Sequence, residues 1–211
     1  MKQAITWIGF VVGAAALILQ FAITIPLRLS NGDSLGGAVV FYFSFFTILT
    51  NLMLVLVYSS ELWLWPWLGW LRSPVTRAMM AAAITLVMVF YHFVLAPTWN
   101  PEGLALVADT ALHYGTPLIY LVWWIATVRH GQLEWADIPA MLMPPTLYLI
   151  YVLIRGAAIG EYPYPILEAN HIGYGAVALN VLAVLIGLTA LCTLVIAIDR
   201  GLVRLGKRNE P

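Results

Sequence analysis

Six apolar stretches, each long enough to cross a bilayer, constrain this chain more than any other feature. A membrane-spanning helix needs about 20 predominantly apolar residues. The stretches cover residues 5–27, 37–58, 78–96, 104–128, 138–154 and 172–198, and Pro97 ends the third. Because lipid cannot satisfy the polar groups of the backbone, a spanning segment must be a helix or part of a closed barrel. Barrel strands alternate between apolar and polar residues, whereas these stretches are continuously apolar, which predicts helices and excludes a barrel. We therefore expect an all-α protein with six transmembrane helices.

The low content of charged residues marks lipid as the main solvent of this chain. Apolar residues make up 62% of the 211 residues and charged residues 9%. In a soluble domain roughly a quarter of all residues are charged. No long polar linker or internal repeat divides the stretches, so the sequence predicts a single domain over residues 1–211. The basic and acidic residues are equal in number, which excludes a strongly basic nucleic-acid-binding protein. The expected partners are membrane lipids, and the oligomeric state is open.

The basic residues predict the orientation of the chain. The first stretch is 23 residues long, whereas the apolar core of a signal peptide has about 7–15 residues, so we expect it to remain as the first span. Eight Lys and Arg residues lie at the termini or in the second and fourth loops, and only Arg28 and Arg155 lie in the other loops. Since cytoplasmic loops carry the excess of basic residues, both termini are predicted to be cytoplasmic.

Polar residues inside the apolar stretches are informative because polar groups are costly in lipid. They form three stripes at helical spacing: Ser44, Thr47 and Asn51; Asp109, His113, Thr116 and Tyr120; and Tyr148, Tyr151 and Arg155. Hydrogen bonds that tie helices together would explain the hydroxyl and amide groups. They explain Asp109 less well, since Asp is among the costliest residues in a span.

Thr47 and His113 fall at similar depths. Their helices enter from the outer face near residues 37 and 104, so a rise of 1.5 Å per residue places Thr47 about 15 Å and His113 about 13 Å below that face. A hydroxyl and an imidazole that meet there have the elements of nucleophilic catalysis. Thr47 would attack, His113 would remove its proton, and Asp109, one turn away, would hold the imidazole ring.

Three segments carry a resemblance to a known family. FYFSFFTILTNLMLVL, LHYGTPLIYLVWW and YPYPILE resemble the androgen-induced-gene membrane proteins, which include androgen-dependent TFPI-regulating protein and bacterial six-span relatives. The resemblance runs from the second to the sixth span and implies a threonine hydrolase of fatty acid esters of hydroxy fatty acids. It matches the catalytic pair to Thr47, in FFTILTN, and His113, in LHYGTP, and implies a bacterial cytoplasmic membrane. The role of Asp109 comes from helix spacing alone.

A fatty-ester substrate leads to further expectations. Its tails would lie among the helices, with Asn51 and Thr116 supporting the catalytic pair and Tyr120 and Tyr148 lining the substrate. Arg155, at the outer end of the fifth helix, could hold a carboxylate, although snorkelling or pairing with Glu161 explains it more simply.

No cofactor is expected, and no pair of histidines has metal-ligand spacing on one helix. A noncatalytic scaffold and a small-solute transporter remain as alternatives. Contact between Thr47 and His113 in a closed pocket would favour hydrolysis, and their separation on opposite sides would favour a scaffold. A continuous wet path across both leaflets would favour transport.

Overall fold

Helices provide the regular structure of this protein. A computed structural model describes residues 2–208, with the side chains of residues 2–204, and contains no strand within that range. The α-helices are α1 (Lys2–Ser30), α2 (Leu35–Tyr42), α3 (Phe46–Trp63), α4 (Pro74–Phe90), α5 (Gly103–Thr110), α6 (Thr116–Thr127), α7 (Ile138–Ile159) and α8 (Ala169–Arg208). Short 3-10 helices cover Pro66–Arg72, Ala96–Thr98, Trp135–Asp137 and Pro165–Leu167. The predicted all-α class is confirmed.

Two short π-helical segments interrupt the α-helical pattern. The first π turn, Tyr91–Leu95, follows α4, and the second π turn, Ala111–Gly115, joins α5 to α6. Residues 103–127 are thus one continuous helix with a wider turn in its middle. Such π turns are rare and are frequent at functional sites.

Several helices have the length and composition of membrane spans. Among the described residues, five are long and apolar enough to cross a bilayer: Lys2–Ser30, Phe46–Trp63, Pro74–Thr98, Trp135–Ile159 and Ala169–Arg204. These helices are those of an integral, multi-pass membrane protein. The helix over residues 103–127 has the required length, but Asp109, His113 and Thr116 make it less apolar than the five. The predicted number of six depends on this helix.

The second predicted span is broken, which corrects the expectation of one continuous helix over residues 37–58. α2 ends at Tyr42, and Phe45 precedes α3 in an extended conformation, with φ −85° and ψ 130°. Between them the Ser44 hydroxyl donates to the Phe41 carbonyl at 2.6 Å. Serine side chains that bond the nearby backbone compete with helix formation in this way. As a result, Ser44 lies outside the helix that carries Thr47.

The described residues fall into two compact units that divide between His130 and Gly131. In the first unit α1 and α4 each pack against α3 and α6. The close approach of α1 to α3 depends on Gly9, which faces the ring of Tyr58, and on Gly13. A Cβ atom on Gly13 would lie 2.8 Å from Cγ2 of Val55. Gly9 and Gly13, spaced as G-x-x-x-G, therefore lie where α1 and α3 pack closely.

The second unit is built on α7 and α8, which pack against each other. Leu149 and Val152 of α7 form a buried cluster with Leu167 and Val177. At the other end of the pair, the buried Asp199 carboxylate accepts hydrogen bonds from the amides of Gly131, at 2.9 Å, and Leu133, at 3.2 Å. These contacts fix the segment that leads into α7.

Candidate functional site

Thr47 and His113 are in contact within the first unit. Thr47 lies in the first turn of α3, and His113 lies in the second π turn. The distance from Thr47 Oγ1 to His113 Nε2 is 3.4 Å. Thr47 is only 8% exposed, and the His113 side chain is 14% exposed. The juxtaposition predicted from helical rise is therefore present, at the long end of hydrogen-bonding distance.

Asp109 contacts the other nitrogen of the His113 ring. Nδ1 of His113 lies 2.9 Å from the Asp109 carbonyl oxygen and 3.3 Å from its carboxylate oxygen Oδ1. Both oxygens accept hydrogen bonds when the carboxyl is ionised, so we assign the proton of the neutral ring to Nδ1. Nε2 then presents its lone pair to the Thr47 hydroxyl. The three residues have the connectivity of a hydroxyl, base and orienting acid.

The second π turn supplies a backbone acceptor inside the site. In an α-helix the Thr116 amide would bond to the Leu112 carbonyl, but here it bonds to the Ala111 carbonyl. The Leu112 carbonyl accepts instead from Asn51 Nδ2 of α3, at 3.2 Å. A carbonyl left without a partner in an apolar interior would be costly, so this contact stabilises both the π turn and its position against α3.

Asn51 connects the two helices that carry Thr47 and His113. Its Nδ2 atom also donates to the Thr47 carbonyl at 2.8 Å, and its Oδ1 atom accepts from the Thr116 hydroxyl. Asn51 is fully buried and Thr116 is 4% exposed. The two residues expected to support the pair thus lie beside it, and their amide and hydroxyl groups are hydrogen-bonded.

Tyr91 is a site residue that the sequence analysis did not identify. Its ring stacks on the His113 imidazole, with centroids 3.9 Å apart and planes 14° apart, and its hydroxyl donates to Asp109 Oδ2. The neighbouring His92 Nδ1 lies 3.0 Å from the Tyr114 hydroxyl. A signal was present in the sequence, since Tyr91-His92 and His113-Tyr114 are two Tyr/His pairs in spans that were predicted to be consecutive.

Tyr120 belongs to a separate cluster of the first unit. It is fully buried, and its hydroxyl donates to the Arg77 carbonyl at 3.1 Å. Its ring packs against Tyr58 and Trp123, and the Arg77 guanidinium pairs with Glu61. These contacts occupy Tyr120 in packing and give no support to the expected role in lining a substrate.

Arg155 and Tyr148 belong to the second unit. Arg155 donates to the Glu161 carbonyl at 2.9 Å and pairs with the Glu161 carboxylate at 3.0 Å. Tyr148 packs at the edge of the buried cluster that contains Leu149. The simpler explanation of Arg155, pairing with Glu161, is the one that the geometry favours.

The chemistry available at the site is that of a hydroxyl activated by a base. Within residues 2–208 no group of three His, Cys, Asp or Glu side chains could hold a metal ion. The donors and acceptors around His113 suit proton transfer to and from the Thr47 hydroxyl.

Fold and composition define an integral, multi-pass helical membrane protein with a buried Thr-His-Asp cluster. Comparison of the chain with protein-family models, with curated proteins and with solved structures finds no match. The resemblance to the androgen-induced-gene family therefore remains a prediction from the three sequence segments.

Proposed function

We propose that this chain is a six-span lipid-ester hydrolase of a bacterial cytoplasmic membrane, with Thr47 as nucleophile and His113 as general base. The observation that carries the proposal is the contact of Thr47 Oγ1 with His113 Nε2 at 3.4 Å, while Nδ1 of the same ring is held by Asp109. A threonine hydroxyl is a weak nucleophile unless a base takes its proton. The base is in place, and its tautomer suits that task.

The reaction proceeds through an acyl-enzyme. Thr47 Oγ1 attacks the carbonyl carbon of the ester, and His113 Nε2 takes the hydroxyl proton. The tetrahedral intermediate collapses, the bond to the alcohol oxygen breaks, and His113 returns the proton to the leaving alcohol. Water then attacks the acyl-Thr47 ester with His113 again as base, which releases the fatty acid and restores the hydroxyl.

The position of Thr47 in the first turn of α3 supports this chemistry. The amides of Thr47 and Ile48 have no acceptor within the helix, because the preceding residues are not helical. The N-terminal end of a helix also carries partial positive charge, which favours negative charge nearby. The break between α2 and α3 thus supports the proposal, since an oxyanion that forms beside Thr47 would lie near backbone donors.

The surroundings of the site favour a lipid ester as substrate. Thr47 and Tyr91 lie on helices with the composition of membrane spans, and both helices pack against the π turn that carries His113, so the molecules that reach the cluster most readily are apolar. The resemblance to the androgen-induced-gene family points to fatty acid esters of hydroxy fatty acids. The two lines of support are independent, since one is structural and the other rests on sequence segments.

Hydrolysis by purified protein in lipid nanodiscs tests the proposal. A labelled fatty ester should be cleaved by the wild type, and Thr47→Ala and His113→Ala should each lower kcat by at least about 1,000-fold, as removal of a nucleophile or its base does elsewhere. The double variant should be little worse than either single variant, because the two residues act as a unit. A lipid fluorophosphonate should label Thr47, as read by peptide mass spectrometry.

Two matched variants serve as controls. Thr85→Ala removes a hydroxyl that bonds only within its own helix, to the Ala81 carbonyl, and His130→Ala removes an imidazole at the end of the first unit. Both should retain activity. Normal hydrolysis by Thr47→Ala and His113→Ala would refute the mechanism and leave the scaffold alternative.

The break between α2 and α3 favours one alternative, a small-solute transporter. Transporters form their sites at interrupted helices. Solute uptake by proteoliposomes that is lost in Asn51→Leu, without any ester hydrolysis by the wild type, would establish transport in place of catalysis.

A further inference from the structure

Tyr91 contacts both His113 and Asp109 although it belongs to a different helix. It begins the first π turn and is 6% exposed. Its ring lies flat against the imidazole at 3.9 Å, and its hydroxyl donates to Asp109 Oδ2. The other carboxylate oxygen, Oδ1, faces Nδ1 of His113. One side chain therefore touches the base and the acid that orients it.

The two contacts restrict different movements of the imidazole. The stack on Tyr91 fixes the plane of the imidazole ring. It does not fix which edge faces Thr47, because a rotation of 180° about the Cβ–Cγ bond keeps the plane and exchanges the nitrogen atoms with carbon atoms. The carbonyl and carboxylate oxygens of Asp109 together distinguish these two orientations, because Nδ1–H can donate to either and a ring carbon forms no comparable hydrogen bond. The Tyr91 hydroxyl in turn holds that carboxylate in place.

We propose that Tyr91 is a positioning residue, which holds His113 with its proton on Nδ1 and its Nε2 atom toward Thr47. The kinetic part of this inference rests on the proposed hydrolase function, whereas the structural part does not. A tyrosine that only filled space beside His113 would tolerate replacement by phenylalanine. A positioning residue would not, since its hydroxyl bonds the orienting carboxylate.

Nitrogen NMR of the histidine side chains tests the structural part directly. The chain has four histidines, and His113→Gln identifies the signal of His113. In the wild type that signal should report a single neutral tautomer, protonated at Nδ1. In Tyr91→Phe, which keeps the ring and loses the hydroxyl, we expect a second population protonated at Nε2, smaller than the Nδ1–H population that the Asp109 carbonyl still favours. In Tyr91→Leu, which loses the stack as well, the mixture should be more even.

Hydrolysis kinetics give a second readout. Tyr91→Phe should lower kcat roughly 10- to 100-fold, the effect of losing one hydrogen bond to a charged group. KM should stay within about a factor of two, because Tyr91 acts through His113 and not on the substrate. Tyr114→Phe is the matched control. It removes a hydroxyl of the second π turn that bonds His92 and neither His113 nor Asp109, so it should change neither readout.

The outcomes separate the inference from the proposed function. A single Nδ1–H tautomer and unchanged kcat in Tyr91→Phe would overturn the positioning role. If the wild type hydrolyses no ester, the proposed function fails, and the tautomer of His113 in Tyr91→Phe still decides the role of Tyr91. If Tyr91→Leu does not fold, Tyr91→Phe decides alone, because it keeps the buried ring.

Discussion

Asn51 shows how the protein balances the cost of polar groups in its interior. Its side chain donates to the carbonyls of Thr47 and Leu112 and accepts from Thr116. We expect Asn51→Leu to remove these three hydrogen bonds, leaving the Thr116 hydroxyl only its 3.4 Å contact with the Leu112 carbonyl, and to destabilise the fold by roughly 1–2 kcal/mol, the range for interhelical hydrogen bonds in membranes. Thermal unfolding in detergent measures this loss. Asn180→Leu, which removes a single bond to the Ile166 carbonyl, should cost less.

Arg155 is the residue for which two roles compete most directly. Its terminal nitrogens contact the carbonyl and the carboxylate of Glu161. We therefore expect Arg155→Gln to weaken the binding of free-acid esters and of their methyl esters equally, because the contact that is lost is structural. Hydrolysis of the two ester types by the same preparation provides the measurement. A selective loss with the free acid would show that Arg155 holds a substrate carboxylate.

At the scale of elements, the contact of α1 with α3 should tolerate no added atom. The Tyr58 ring that faces Gly9 is itself buried. Gly9→Ala should destabilise the protein by about 1–3 kcal/mol, as overpacking of a tight interior does. Melting in detergent checks this, with Gly187→Ala of α8 as control. Nothing lies within 4 Å of a Cβ atom at Gly187, so that variant should melt no lower than the wild type, and an equal loss in both would contradict the packing argument.

Helical rise predicted part of the site, and helical periodicity missed the rest. Thr47 and His113 could be matched because every helix climbs by a similar distance per residue, whatever its neighbours. The break at Ser44 and the two π turns could not be predicted, because the stripes were read with 3.6 residues per turn throughout. Since Tyr91 reaches His113 from the first π turn, the same assumption hid its role.

At the scale of the whole molecule, the number of spans depends on the helix over residues 103–127. If this helix crosses the membrane, Asn100 and Gln132, both exposed, lie on opposite sides. With cytoplasmic termini, Asn100→Cys should react with an impermeant maleimide added outside, and Gln132→Cys only after permeabilisation. The native Cys192 is buried and can remain.

Other labelling patterns would contradict the topology. Reaction of both cysteines from one side would leave five spans. Reaction of Gln132→Cys from outside and of Asn100→Cys only after permeabilisation would invert the orientation, so the depths of Thr47 and His113 would no longer be measured from the outer face. A cytoplasmic reporter after Pro211, which lies outside the described residues, should be active and provides an independent check.

The polarity of this same helix has a consequence for how the protein is made. Asp109 lies inside this helix, six residues from its first residue, and an ionisable residue within a span makes entry into lipid costly. Its partners Tyr91, for Asp109, and Asn51, for Thr116, both lie earlier in the chain. During synthesis they reach the bilayer first. The order of residues along the chain thus supplies hydrogen-bonding groups before the helix that needs them emerges.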